Sequence, residues 1–174
     1  MKILMKSATR GIALMFAVTT LVFNTASAQN KKKERQAKRA EEVKQIIENR
    51  HYVFEPTYMT PMRGGGRSLN AEYDMQIKGD SVISYLPYTG QAYQAPADPT
   101  KNVLDFTMTS FEYSAKPVKN GGWEITIVPK DKRELQKMFI MISEDGYATL
   151  RITSTNRDPI SFDGTIESPP KKKG

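Results

Sequence analysis

Beyond residue 50 the chain alternates. Ala71, Tyr73, Met75 and Ile77 are apolar, while Glu72, Asp74, Gln76 and Lys78 between them are polar. A period of two marks a strand with one buried and one wet face. Tyr52, Phe54, Pro56 and Tyr58 open the series, set against Val53, Glu55, Thr57 and Met59. Ser81–Leu86 returns from a Gly79-Asp80 turn as the second arm of a hairpin. Leu104, Phe106 and Met108 share one face of a strand expected over 103–115, which Pro117 ends. Trp123, Ile125 and Ile127 follow an Asn120-Gly121-Gly122 turn. Met138, Ile140 and Ile142 alternate with Lys137, Phe139 and Met141, so this strand reads as apolar on both faces and central. Ala148, Leu150 and Ile152, then Ile160, Phe162, Gly164 and Ile166, complete the set on either side of a turn at Asn156–Pro159.

Residues 31–50 have a different period. They are Lys, Glu, Arg, Gln and Ala without Gly or Pro, a helical composition. Ala40, Val43, Ile46 and Ile47 form a short stripe in the C-terminal half, which predicts a frayed basic start and two or three turns docked on the body.

About eight strands joined mostly by short turns argue an antiparallel meander, because parallel pairs need long crossovers. Such a meander hides its edges by curling. The expected fold is mainly β, a single antiparallel meander curled into a small barrel or strongly curved sheet, with one N-terminal helix. The sequence divides into 1–28, a basic segment and helix over 29–50, a β domain over 51–168, and a basic tail over 169–174.

Residues 1–28 read as a cleavable secretory signal peptide. Lys2, Lys6 and Arg10 precede an uncharged apolar run from Gly11 to Phe23, and Ala26 and Ala28 supply the small residues a signal peptidase requires. The run is shorter than the ~20 residues of a membrane-spanning helix. Cleavage is expected between Ala28 and Gln29, with no integral membrane segment in the mature chain. There is no Cys, which excludes a lipoprotein anchor, a disulfide framework and thiol chemistry. The periplasm is the expected location.

The leader also changes the meaning of the charge. The whole chain carries +7, but three basic residues and no acid lie in the leader, so the mature chain carries +4. Residues 51–170 hold twelve basic and fifteen acidic side chains. The body is mildly acidic and the basic excess sits on two ends. A nucleic-acid partner would demand a basic face on the domain itself, so none is expected.

Candidate chemistry is sparse. His51 is the only histidine and has no nucleophile-elbow motif beside it, so no catalytic residue is assigned. One His without Cys makes a poor metal site, and neither metal nor cofactor is expected. Glu72 and Asp74 share the polar side of an alternating strand, where a solvated face is the ordinary reading. The loop Arg63-Gly64-Gly65-Gly66-Arg67 combines guanidinium groups with a Gly-rich backbone that can cradle an anion, yet lacks the Lys-Ser/Thr ending of a phosphate loop. The long connection 87–102, with Tyr85 before it and Tyr88 and Tyr93 inside it, offers amphipathic rings of the kind that favour binding. Tyr85, Tyr88, Tyr93, Arg63 and Arg67 are the candidate ligand-binding residues. If they act together, Tyr88, Tyr93 and one arginine should line a concave pocket.

The run Asp80-Ser81-Val82-Ile83-Ser84-Tyr85-Leu86-Pro87-Tyr88-Thr89-Gly90-Gln91-Ala92-Tyr93 is distinctive. So are Gly146-Tyr147-Ala148-Thr149-Leu150, Asn156-Arg157 and Ile160-Ser161-Phe162-Asp163-Gly164-Thr165-Ile166. With Tyr73-Asp74 and the exported start, they resemble the domain of unknown function 4251 family, short exported proteins of Bacteroides-type bacteria. The resemblance covers nearly all of residues 40–168. It implies a single exported domain and assigns no catalytic residue. The expected role is a non-catalytic binding or interaction module for a small molecule, glycan or protein. The alternatives are a structural or inhibitor-like protein without a pocket, packed solid and presenting exposed aromatics, or a hydrolase of unrecognised type.

Overall fold

The computed structural model describes residues 31–70, 72–94, 101–119, 121–131 and 134–169. The leader with its cleavage point and the lysine tail lie outside them. The described residues fall into two units divided between Lys38 and Arg39. In the first, residues 31–38 are helical and exposed. The second opens with the helical residues 39–48, here called α1, followed by the β-domain. The stripe read from the sequence is the one α1 buries: Val43 and Ile47 are 1% exposed and Ile46 packs beside them. Arg39 clasps this helix to the sheet, its guanidinium donating to the Ile166 carbonyl at 2.9 Å and to Glu167 Oε1 at 2.8 Å.

Ten strands follow: β1 His51–Pro61, β2 Arg67–Ser68, β3 Asp74–Lys78, β4 Ser81–Tyr85, β5 Asp105–Met108, β6 Phe111–Pro117, β7 Trp123–Pro129, β8 Leu135–Ile142, β9 Tyr147–Ser154 and β10 Ile160–Glu167. Their order across the sheet is β5-β4-β3-β1-β10-β9-β8-β7-β6, with the short β2 paired to β1. All pairings are antiparallel. Most sequential strands are neighbours: β3 to β5 and β6 to β10 form two meanders, and β1 joins them by pairing with β3 on one side and β10 on the other.

That order requires closure. The ends of the path, β5 and β6, are joined through Thr109 and Ser110 alone. Two linking residues bring Met108 and Phe111 within about 11 Å of each other. The sheet must therefore curl until its ends nearly meet, giving a nearly closed barrel-shaped sheet. Residues 105–117 act as one bent strand, held by β4 along the first part and by β7 along the second. Counted this way the barrel has eight staves, as the alternation predicted. A contact across the inside shows the curl: the hydroxyls of Tyr52 on β1 and Tyr113 on β6 lie 3.3 Å apart.

At about eight strands a barrel interior is just wide enough for side chains to fill. Tyr52, Phe54, Met75, Ile77, Ile125, Ile140, Leu150 and Phe162 are fully buried there. No buried side-chain nitrogen or oxygen among the described residues lacks a partner. Burial holds the Tyr52 phenol well above its ordinary pKa, with Tyr113 adding to the effect.

Three local readings change. First, a bulge between Pro56 and Tyr58 inserts an extra residue into β1. The phase flips, so that Met59 turns inward at 1% exposure while Tyr58 faces out at 40%. Gly164 on β10 lies against this bulge, where a Cβ would run into the Glu55 carbonyl. Second, the strand expected over 103–115 breaks at 109–110, since its halves serve different neighbours. Third, β8 is not buried on both sides: Leu135, Met138, Ile140 and Ile142 point inward, but Met141 is 41% exposed.

Candidate functional site

The five candidate residues separate into two groups and a remainder. The first group gathers around a residue that was not singled out. Asp158 lies in the β9–β10 turn and is 1% exposed. Tyr93 donates its phenol proton to Asp158 Oδ1. The Gln91 amide donates to Oδ2 at 3.3 Å, and Arg63 Nε approaches the same oxygen at 3.8 Å. Tyr88 donates to the Asp158 carbonyl at 2.9 Å. Arg63 also holds the Gln91 side chain through Nη1 to Oε1 at 2.8 Å.

Backbone pairing supports these side chains. The Asp158 amide donates to the Gln91 carbonyl at 3.0 Å and the Tyr93 amide to the Asn156 carbonyl at 2.8 Å. Ala92 bridges Arg157 between them. Residues 91–93 are thus laced to 156–158 as a short antiparallel strap. Gly90 is needed beneath it, because a Cβ there would collide with the Tyr88 hydroxyl. The Arg157 guanidinium stands over the Tyr88 ring at 5.6 Å and its Nε meets Glu134 at 3.4 Å.

The electrostatics describe a lock. The Tyr93 hydrogen bond holds the Asp158 carboxyl below the usual carboxylate range, against the opposing effect of burial. The Tyr93 phenol is correspondingly raised, first by that bond. Burial raises Tyr88, and the Asp158 charge adds to it. Raised phenols stay protonated and are poor nucleophiles, and a carboxylate with both oxygens engaged is a poor base. The first group converges on a carboxylate of its own chain.

Tyr85 belongs elsewhere. Its ring stacks on Tyr73 with centroids 5.5 Å apart and planes inclined by 30°. It is 47% exposed and borders a hollow of about 540 Å³ with Pro87, Lys101, Asn102 and Asp105. The floor is rigid. Asn102 donates to the Leu86 carbonyl at 2.6 Å and accepts from the Leu104 amide at 3.1 Å. Pairing places Tyr85 directly between Asp74 on β3 and Asp105 on β5, so two carboxylates flank the exposed ring. Arg67 joins neither group. It sits exposed on β2, opposite Met59.

Two further hollows lie on the outer face. One, of about 770 Å³, has His51 and Lys78 toward one end and Glu55 and Asp74 toward the other, with Ile46 and Pro169 at its sides. Asp74 accepts from Gln76 at 2.6 Å, and Glu72 lies before β3 starts, so the two acids do not share a strand. No group of three or more His, Asp or Glu that could hold a metal occurs among the described residues. The other hollow, about 630 Å³, has Met141 and the 68%-exposed Tyr147 on its rim. No helix among the described residues is long and apolar enough to cross a membrane.

The architecture defines a class: a small up-and-down antiparallel barrel with a filled interior and its polar features on the rim and outer face. The chain belongs to the family described as Domain of unknown function (DUF4251), whose profile matches residues 34–166. It is similar in fold to the crystal structure of a DUF4251 family protein from Bacteroides eggerthii DSM 20697, with a TM-score of 0.55 and 11% identity over 76% of this chain and 91% of that one. No curated protein matches the sequence.

Proposed function

We propose that this chain is an exported periplasmic binding module, without catalysis, that meets a glycan at the rim around Tyr85. The observation that carries the reading is the Tyr73–Tyr85 stack, held open beside a hollow of about 540 Å³ on a hydrogen-bonded floor. An exposed aromatic face accepts the apolar side of a sugar ring, and the neighbouring carboxylates of Asp74 and Asp105 accept hydrogen bonds from its hydroxyls. The leader motif supports export. The filled barrel argues for work at the surface.

The test is a glycan array probed with the mature chain, the Tyr85→Ala variant and the Tyr147→Ala variant. The expected result is a set of glycans bound by the first and third and lost by the second. Equal binding by wild type and Tyr85→Ala would overturn the assignment. Export is tested separately: N-terminal sequencing of the periplasmic fraction should begin at Gln29.

A second reading rests on a different observation. Tyr147 and Met141 are 68% and 41% exposed on one face of the barrel. Exposed aromatic and Met side chains mark protein contacts. A structural or inhibitor-like role would use this face, and Tyr147→Ala would then lose a protein partner while glycan binding stayed unchanged.

A further inference from the structure

The seam of the barrel leaves one edge of β6 without a paired strand among the described residues. Which backbone groups it presents follows from the ladder on its other side. Lys130 N–H donates to the Ser110 carbonyl at 3.0 Å, and Val118 N–H donates to the Gly122 carbonyl at 3.2 Å. Hydrogen-bonded pairs alternate along an antiparallel ladder. Residues 112, 114 and 116 therefore bond to β7, while Phe111, Tyr113 and Ala115 turn their N–H and C=O groups to the open side. Pro129 and Pro117 sit where this parity needs no donor toward the partner strand. The inward side chains here are only half-buried, whereas those of central strands are fully covered.

We propose that β6 pairs with β6 of a second copy of this chain, antiparallel about a two-fold axis at Ser114. The sequence is self-complementary in that register. Tyr113 and Ala115 exchange both backbone bonds with their counterparts, and Phe111 N–H meets the Pro117 carbonyl, while Pro117, which has no N–H, returns no bond to the Phe111 carbonyl. Glu112 falls opposite Lys116 twice, in the closely spaced pair positions where side chains meet. Both side chains are exposed and available, though Glu112 also meets Lys130 of its own chain at 3.3 Å. Shifting the axis to Tyr113 would set Glu112 against Ser114 and lose both charge pairs. A closed two-fold pairing uses up the edge in both copies, which ends association at the dimer.

Sedimentation equilibrium tests this across a concentration series. The wild type should shift from monomer to dimer. Lys116→Glu and Glu112→Lys, each placing like charges opposite one another, should weaken dimerisation by about tenfold or more, a like-charge effect summed over two sites. Mixing the two variants restores both opposite-charge pairs and should restore a heterodimer. The chain has no Cys, so Ser114→Cys provides an independent readout. Facing residues at such a position stand at about 4.5 Å between Cα atoms, within disulfide range. It should cross-link far faster than Thr126→Cys on the neighbouring strand. A wild type that stays monomeric, single variants that dimerise normally, or equal cross-linking of the two cysteines would overturn the proposal.

Discussion

Two neighbouring stretches of this chain, Tyr85 at the close of β4 and Tyr88–Tyr93 in the connection after it, have opposite fates. At the Tyr85 end, an aromatic ring is stacked on Tyr73 and left half open, with carboxylates to either side. At the Tyr88–Tyr93 end, both hydroxyls are spent on Asp158, one on its carboxylate and one on its carbonyl. Similar residues a few positions apart thus leave one ring open to solvent and turn the others to internal closure. What separates them is the nearest unsatisfied acceptor. Asp158 is buried and needs donors, so it draws in Tyr93, Gln91 and Arg63. Asp74 and Asp105 are in contact with solvent, and Asp74 takes a donor only from Gln76 on its own strand.

The sharpest way to break this contrast is Asp158→Ala. Three donors lose their acceptor, so the melting temperature should fall by on the order of 5 °C. Hydrogen exchange of the Gln91 and Tyr93 amides should accelerate together. If neither changes, the backbone strap suffices and the carboxylate is incidental. Next in size is Tyr88→Phe, which removes one hydroxyl-to-carbonyl bond and should cost about 1 kcal/mol in chemical denaturation.

Acid sets a third test. The native Asp158 carboxyl lies below its ordinary value of 3.8, so its ionised form favours the folded state. That stability is complete above the ordinary value and is lost as the pH falls through the lowered native one. Stability curves of wild type and Asp158→Asn should therefore differ near neutrality and converge in strong acid. Parallel curves would remove the carboxylate from the lock. The smallest structural effect belongs to the open end: Tyr85→Ala should alter stability by less than about 0.5 kcal/mol, while abolishing glycan binding. A large loss of stability there would make the Tyr73–Tyr85 stack structural.

Much of the barrel was legible because each strand declares its inward face. Met75 and Ile77, Leu150 and Ile152, and Phe162 and Ile166 lie inward as their alternation requires. The bulge in β1 was not legible. Val53 and Met59 are as apolar as the residues beside them, so the chain carries no mark of where the phase turns over; only Gly164, on the partner strand, hints at a close approach. Asp158 escaped for a related reason. An aspartate before Pro159, in a run of Asn and Arg, reads as an ordinary turn, and its principal partner lies 65 residues earlier. Arg63 and the two loop tyrosines were recognised by type, but their shared target depended on the barrel bringing two distant turns to one rim. Phe139 and Met141 show the converse: apolar composition on both sides of β8 did not ensure burial on both sides.

The pairing of β1 with β10 has a consequence for how the chain comes into being. Val53 lies opposite Glu167 and Pro61 opposite Ile160, so the earliest strand waits for the latest. During synthesis, the segment 51–61 can find β3 on one side but has an unfilled ladder on the other until β10 emerges. Such long-range closure makes folding slow relative to local structure formation. The barrel would seal only when β10 arrived.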